Sequence, residues 1–365
     1  MGIFGGWAGL CGFAPSDGWL CLGQSVKTCA PSVAGYACLR KPSPSTTAIP
    51  MKQLILALAL LSPSLGEVHT SPEREDKSAK LEPAKVAGKD GGKAAEEVSV
   101  MVGAFAEKEL RMTVSDLVAF KSRTVGQPGN VQAASYLHDR LQRIPGLQVA
   151  PPAGPWKNVI ATLPGTDATS RSLHIVGAHY DSVAERPDLA PGAMDDASGI
   201  AVVLEMARIL SQYQFRHTII FACWNGEECG LNGSREFVQQ LIKDGRSVAL
   251  YLNHDSIAFD PQARLILDVI ANPPAGAAKK LLIENNQRYK LGFTLVENLH
   301  ACNGDHTPFQ QAGFPAINTH QEDHGAHYHT ANDTTELVSF PYAAKVGQLG
   351  LSIIATLAST SAAKP

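Results

Sequence analysis

Between about Val98 and Ser359, short apolar runs alternate with stretches whose apolar residues recur every three or four positions. The first pattern predicts strands and the second amphipathic helices. Helices are expected over Ser115 to Arg123 and over Val131 to Ile144, where Ala134, Leu137, Leu141 and Ile144 share one face and Pro145 ends the run. The β-rich runs Asn158 to Leu163 and Leu173 to Ala178 lead to a helix from Ser198 to Gln212, striped by Ile200, Val203, Leu204, Ala207 and Leu210. Beyond it the pattern gives a strand over Thr218 to Trp224, a helix over Gly233 to Ile242 and strands over Val248 to Asn253 and Leu265 to Ile270. A helix over Gly276 to Tyr289, strands over Phe293 to Glu297 and Ala316 to Thr319, and a last helix over Tyr342 to Leu357 complete it. Strands interleaved with helices in this way predict an α/β fold: a single domain with a central mixed, mainly parallel sheet covered by helices on both faces.

Upstream of that domain the pattern changes three times. Met51 and Lys52 precede an apolar run from Leu54 to Leu61 and small residues around Ser64 and Gly66, which is the three-part plan of a secretory signal peptide. The run is too short to span a bilayer. A signal peptide acts at an N-terminus, so residues 1–50 are expected to be a mis-annotated extension, 51–66 the signal peptide and 67–97 a linker. The linker is rich in Lys, Glu, Asp, Gly, Ser and Pro and is expected to be disordered, because it has little apolar surface to offset the entropy of ordering. Residues 98–359 then form the folded domain, and a secreted or periplasmic location is expected, with no stable membrane anchor once the signal is cleaved.

Composition narrows the class further. With 44% apolar residues, 18% charged residues and a net charge of −3 over 365 residues, a sizeable core is assured and the basic excess of a nucleic-acid binder is missing. Four of the seven cysteines lie in residues 1–50, leaving Cys223, Cys229 and Cys302. They make no disulfide framework and no Cys-x-x-Cys zinc pair, although Cys229 and Cys302 could bridge.

Five segments carry side chains of metal-ligand type: HYDS at His179, MDDASG at Asp195, NGEECG at Glu227, NHDS at Asp255 and YHT at His329. In a parallel sheet the ligand crevice lies beyond the carboxyl ends of the strands. His179 with Asp181, Glu227 with Glu228, and Asp255 each follow the end of an expected strand, Asp195 opens a helix, and His329 lies in the loop after the last strand. All five can meet at one edge. Two histidines and four carboxylates suffice for a pair of zinc ions that share one carboxylate, with one acid left as the base. The neighbours Glu227 and Glu228 are the natural place to divide those tasks, and Asp181 is placed to orient the His179 imidazole.

HYDS, GAMDDASG, NGEECGL, the acid of NHDS and YHTANDT, in this order and spacing, resemble the signature segments of the secreted bacterial di-zinc aminopeptidases. That family belongs to the zinc exopeptidase group, which also includes glutamate carboxypeptidase and glutaminyl cyclase. NVIATLPG and CNGDHTPFQQAGFPAI extend the resemblance over about Asn158 to Glu336. It implies a zinc-exopeptidase type of fold and two Zn2+ per chain, one held by His179, Asp195 and Asp255 and the other by Asp195, Glu228 and His329. It also implies Asp195 as the bridging ligand and a cis peptide after it. Glu227 would be the general base, Asp181 the partner of His179, and Tyr328 a donor to the oxyanion. The implied reaction removes N-terminal residues from peptides with a free amino terminus, through attack by a zinc-bridged hydroxide.

Other readings remain open at this stage. Asp196 or Ser198 could simply cap the following helix. His320, His324 and His327 compete with His329, and spacing does not choose among them. His306 and Asp305 could shape the substrate loop or serve only structure, while His174, His217 and His254 read as packing or surface residues. A carboxypeptidase, a glutaminyl cyclase or a non-catalytic binding ectodomain would share the fold. Side-chain specificity and oligomeric state leave no mark in the sequence.

Overall fold

Leu173 and Ile175 belong to one buried apolar cluster and Val176 and Ala178 to another, so the strand that carries them is covered on both sides. Ile219, Phe221 and Cys223 against Ile220, Ala222 and Trp224 repeat the division on the next strand. The computed structural model describes residues 79–80, 92–298 and 303–359. Its strands are β1 (Ala79–Lys80), β2 (Gln148–Val149), β3 (Val159–Leu163), β4 (Ser172–His179), β5 (Thr218–Trp224), β6 (Ser247–His254), β7 (Ile266–Ala271), β8 (Thr294–Glu297) and β9 (Ala316–Gln321). They form one mixed sheet in the order β1-β8-β7-β9-β6-β4-β5-β3-β2. The four central strands β9, β6, β4 and β5 run parallel, and β3 and β7 flank them antiparallel.

The helices are α1 (Lys93–Gly103), α2 (Glu107–Val118), α3 (Pro128–Gln142), α4 (Ser198–Leu210), α5 (Asn232–Lys243), α6 (Gly276–Arg288), α7 (His306–Gln311) and α8 (Phe340–Ser359). Apolar residues of α1, α2, α4, α6 and α8 fill the larger cluster on one face, and those of α5 and α7 fill the smaller cluster on the other. The α/β sandwich expected from the pattern is therefore present. On β6 the register against β4 shifts between Leu173 and His174, which pair with Val248 and Leu250. That bulge puts Val248 and Tyr251 on one face although they are three positions apart.

Three local expectations change. The helix expected over Ser115 to Arg123 is instead α2, ending at Val118, and the chain leaves it through Lys121 at φ 65°. Helix α1 begins at Lys93, inside the segment read as linker, and buries Val98, Met101 and Val102. The short helix α7 was not expected; Pro308 lies inside it, and Phe309 stacks on Tyr251 at 3.9 Å. The signal-peptide and extension segments lie outside the described residues. Among the described residues no helix is long and apolar enough to cross a membrane.

Candidate metal centre

Strands β4, β5 and β6 stop level with one another, His179 opposite Trp224 and Gly177 opposite Asn253, so the residues that follow them open on one edge. Asp195 arrives there from the turn Ala193–Ala197 ahead of α4, where its φ/ψ of −118°/95° and those of Asp196 are non-helical. The peptide bond between Asp195 and Asp196 is cis. Gly192, at φ 55°, makes this turn possible, since a Cβ there would lie 2.4 Å from the Asp195 carbonyl oxygen.

The five segments meet. His179 Nε2 lies 3.1 Å from Asp195 Oδ1 and 3.9 Å from Asp255 Oδ1. On the other side of the same carboxylate, His329 Nε2 lies 3.0 Å from Asp195 Oδ2 and 3.2 Å from Glu228 Oε2. Two trios result, His179–Asp195–Asp255 and Asp195–Glu228–His329, and in each the nearest donor atoms lie within 4.8 Å of one another. A third grouping, His179–Glu227–Glu228, puts Glu227 within the same reach. His329 is therefore the member of the histidine cluster that reaches the carboxylates; it sits in the left-handed region at φ 58°, where a side chain other than glycine is strained.

The electrostatics of this donor set suit divalent cations. Burial, with Glu228, Asp255 and Asp305 close by, pushes the Glu227 carboxyl well above its usual range, and burial with Asp195 raises Glu228. Asp195 goes the other way: burial opposes its charge, but hydrogen bonds from His179 and His329 outweigh it and hold its pKa well below the ordinary value. Glu228 Oε1 is buried without a hydrogen-bond partner, so a donor or a cation is called for there. Clustered carboxylates with an orphaned oxygen, facing imidazole nitrogens, fit a pair of zinc-sized ions.

The supporting residues are only partly those expected. Asp181 lies 3.5 Å from His179 Nδ1 through its carboxylate, but the closer contact of that nitrogen is with the Asp181 backbone carbonyl, at 3.0 Å. The carboxylate instead accepts from the backbone N–H groups of Glu227 and Glu228, each at 3.2 Å. It orients both acids as well as the imidazole. The N-cap position of α4 is Ala197 rather than Asp196 or Ser198, but Asp196 Oδ1 still accepts from the backbone N–H groups of Gly199 at 2.9 Å and Ser256 at 3.2 Å and ties the turn to both segments. Asp333, overlooked in the sequence although it stands in YHTANDT, accepts from the N–H groups of Met194 and Asp195 at 2.9 and 3.1 Å and so fixes the backbone of Asp195. Arg123 and Asn130, which drew no attention either, are buried beside the same turn.

Tyr328 stacks on the His329 ring at 3.7 Å, and burial with the Asp195 and Glu228 charges raises its pKa, so it keeps its proton. A neutral phenol beside the carboxylates is what an oxyanion donor requires. His324 packs on Tyr328 at 4.2 Å and His320 on His324 at 4.5 Å, so these two histidines follow Tyr328 in a row of tilted rings. His254 turns away, buried under Gly350 and hydrogen-bonded through Nδ1 to Thr319 Oγ1 at 2.7 Å. Asp305 and His306 are buried at the start of α7, and Gly304 backs Asp255 so closely that a Cβ there would lie 2.9 Å from its Oδ2. Cys223 is a buried free thiol, and Cys302 lies outside the described residues.

Residues 158–354, which contain every one of these site segments, match the sequence pattern of peptidase family M28. The chain belongs to peptidase family M28. A protein of Trichophyton verrucosum named "Probable leucine aminopeptidase" is 30% identical over 287 residues, covering 72% of this chain and 76% of the relative. A "Probable zinc metalloprotease" of Pyrenophora tritici-repentis is 31% identical over 298 residues, covering 68% of this chain and 60% of the relative. The crystal structure of the Legionella pneumophila LapA aminopeptidase superposes with a TM-score of 0.66 at 19% identity, over 77% of this chain and 78% of that one. The superposition establishes the fold. The two sequence relatives are fungal, and membership extends to the M28 family without the bacterial detail of the initial resemblance.

Proposed function

We propose that this M28 peptidase is a zinc-dependent aminopeptidase that holds two zinc ions and removes N-terminal residues from peptides. The observation that carries the reading is the division of Asp195, with one oxygen 3.1 Å from His179 Nε2 and the other 3.0 Å from His329 Nε2. A carboxylate placed so could serve two cations at once. His179, Asp195 and Asp255 would hold one ion, and Asp195, Glu228 and His329 the other; the names of the relatives, a leucine aminopeptidase and a zinc metalloprotease, support both the metal and the substrate class.

When bound, zinc would supply Lewis-acid polarisation of the scissile carbonyl and acidify the attacking water. Glu227, with a carboxylate oxygen within 4.8 Å of the His179 and Glu228 donor atoms and its backbone N–H held by Asp181, would take the proton from the attacking water and return it to the leaving amine. His179, locked through Nδ1, presents Nε2 in a single direction. Tyr328 donates to the oxyanion that forms as the carbonyl becomes tetrahedral. The same proposal places the enzyme outside the cytoplasm, secreted or periplasmic, on the signal-peptide pattern of Met51 to Gly66.

Aminoacyl anilides with free and acetylated amino groups, peptides with free carboxyl ends and an N-terminal glutamine peptide distinguish the candidates. The proposal expects turnover of the free-amino anilides alone and two zinc ions per chain by metal analysis. Cyclisation of the glutamine peptide with one zinc per chain would instead identify a glutaminyl cyclase. Glu227→Ala should lower kcat by about 10² to 10⁴ while both ions stay bound, and undiminished turnover would remove Glu227 from the chemistry.

A further inference from the structure

Arg123 is completely buried, an expensive place for a guanidinium, and among the described residues no carboxylate forms an ion pair with it. Its donors go to backbone carbonyls. Nε donates to Tyr180 O at 2.7 Å, Nη2 to Gly192 O at 2.9 Å, and Nη1 to Pro191 O and, at 3.4 Å, to Leu117 O. Tyr180 directly follows His179, and Pro191 and Gly192 lead into Asp195. One rigid fork therefore spans two of the segments that bear the centre.

The backbone of Arg123 extends that reach. Its N–H donates to Ser182 Oγ at 3.0 Å, and its carbonyl accepts from Asn130 Nδ2 at 2.7 Å. Asn130 and Asn225 then exchange side-chain amide bonds at 2.8 and 3.1 Å, and Asn225 stands two residues before Glu227. Helix α3 starts flush against this segment, since a Cβ on Gly129 would lie 2.1 Å from Ser122 O. Burial lowers the Arg123 pKa to about 10, which leaves it charged at neutral pH, and the Asp333, Asp181, Asp196 and Asp195 carboxylates are the charges that favour its protonated form.

We infer that Arg123 is the positioning residue of the metal centre: with Asn130 as its extension, it holds the segments carrying His179, Asp195 and the Glu227–Glu228 pair in one register. It touches none of the donor atoms and acts by fixing the backbone that aims them. This inference rests on the two-zinc reading of the site. A purely structural arginine would stabilise the fold equally with and without metal; a positioning arginine is needed more by the metal-binding geometry than by the rest of the chain.

The test is a competition titration of zinc against a chelating dye, with thermal melting of zinc-loaded and metal-stripped protein, on the full chain and on Arg123→Lys. Lysine keeps the charge, but a single ammonium replaces the planar fork that spans Tyr180, Pro191 and Gly192. Zinc affinity should fall 10- to 100-fold, and the gain in Tm on adding zinc should shrink. Should Arg123→Lys fail to fold, Asn130→Ala is read in the same titration; it leaves the guanidinium in place and cuts the tether to Asn225, and zinc binding several-fold weaker supports the inference. Wild-type affinity in a folded variant, with both melting curves lowered equally, overturns it. A wild-type chain that binds no zinc removes the metal centre itself, an outcome distinct from variants that match a zinc-binding wild type.

Discussion

His174 and His179 stand on the same strand, both buried, and their surroundings drive them in opposite directions. Five positions apart, they point to opposite faces of the sheet. His174 has the His217 ring 5.6 Å away and an Nδ1 without a partner, and burial, aided by His217, pushes its pKa down to about 4. At His179 burial pulls the same way, but Asp181, Asp195 and Glu227 overcome it and hold the imidazole well above its ordinary value. Burial is common to both. What makes one of them a candidate ligand is the set of carboxylates that its own Asp181 and three other segments bring to the carboxyl edge of the sheet.

If that contrast is right, the two ends of β4 should fail differently. The largest effect is expected of His179→Ala, which should lower zinc content and reduce kcat by at least about 10²-fold, whereas His174→Leu should leave kcat and zinc content near wild type. Metal analysis and anilide hydrolysis on both variants check this, and equal losses would erase the distinction. A smaller effect follows from Asp333→Asn, which keeps one acceptor for the N–H groups of Met194 and Asp195 and turns an amide N–H₂ toward the other. Zinc affinity should drop about tenfold, read in the dye competition.

The smallest effect is on acid stability. His174 takes up its proton in the unfolded chain near pH 6.5 but in the folded chain only near pH 4, so its contribution is present above about pH 6.5 and is lost as the pH falls toward 4. Thermal melting over that window should show the wild-type Tm falling relative to that of His174→Leu as the pH drops, because the raised Glu227 and Glu228 carboxyls, which act in the opposite direction, are common to both chains. His254 and His306, lowered by burial to about 3 and about 4, act in the same direction as His174 but equally in both chains, so they cancel from the comparison. An unchanged slope would mean that His174 is not among the groups responsible.

Most strands were legible because a strand buried on both faces has to be written as an unbroken apolar run; Thr218–Trp224 is such a run and appears as β5 with its limits unchanged. The five metal-type segments were legible because their side chains are costly to bury without a cation. Arg123 was not, since its partners are carbonyl oxygens, which every residue possesses and no sequence displays. The misplaced end of α2 has the same origin: the chain leaves the helix at Val118 so that Arg123 can turn inward, although the residues up to it would continue a helical pattern. Asn130 and Asn225 read as ordinary polar residues of a helix and a loop, and only the fold shows that they pair with each other. Helix α1 was hidden by its charged beginning, which resembles a linker until Val98, Met101 and Val102 meet the core.

The two halves of the centre are built from unequal materials. His179 and Asp255 continue directly from the ends of adjacent sheet strands, whereas Glu228 and His329 stand on connecting segments, and His329 alone of the five has a left-handed backbone. For an evolving sequence the halves are therefore unequally editable. A few insertions or deletions between Gln321 and Asp333 could withdraw His329 while the sheet and the first trio stayed intact, whereas withdrawing His179 or Asp255 would mean re-threading the parallel core. Descendants of this chain would more readily lose the trio that contains His329 than the one that contains His179 and Asp255.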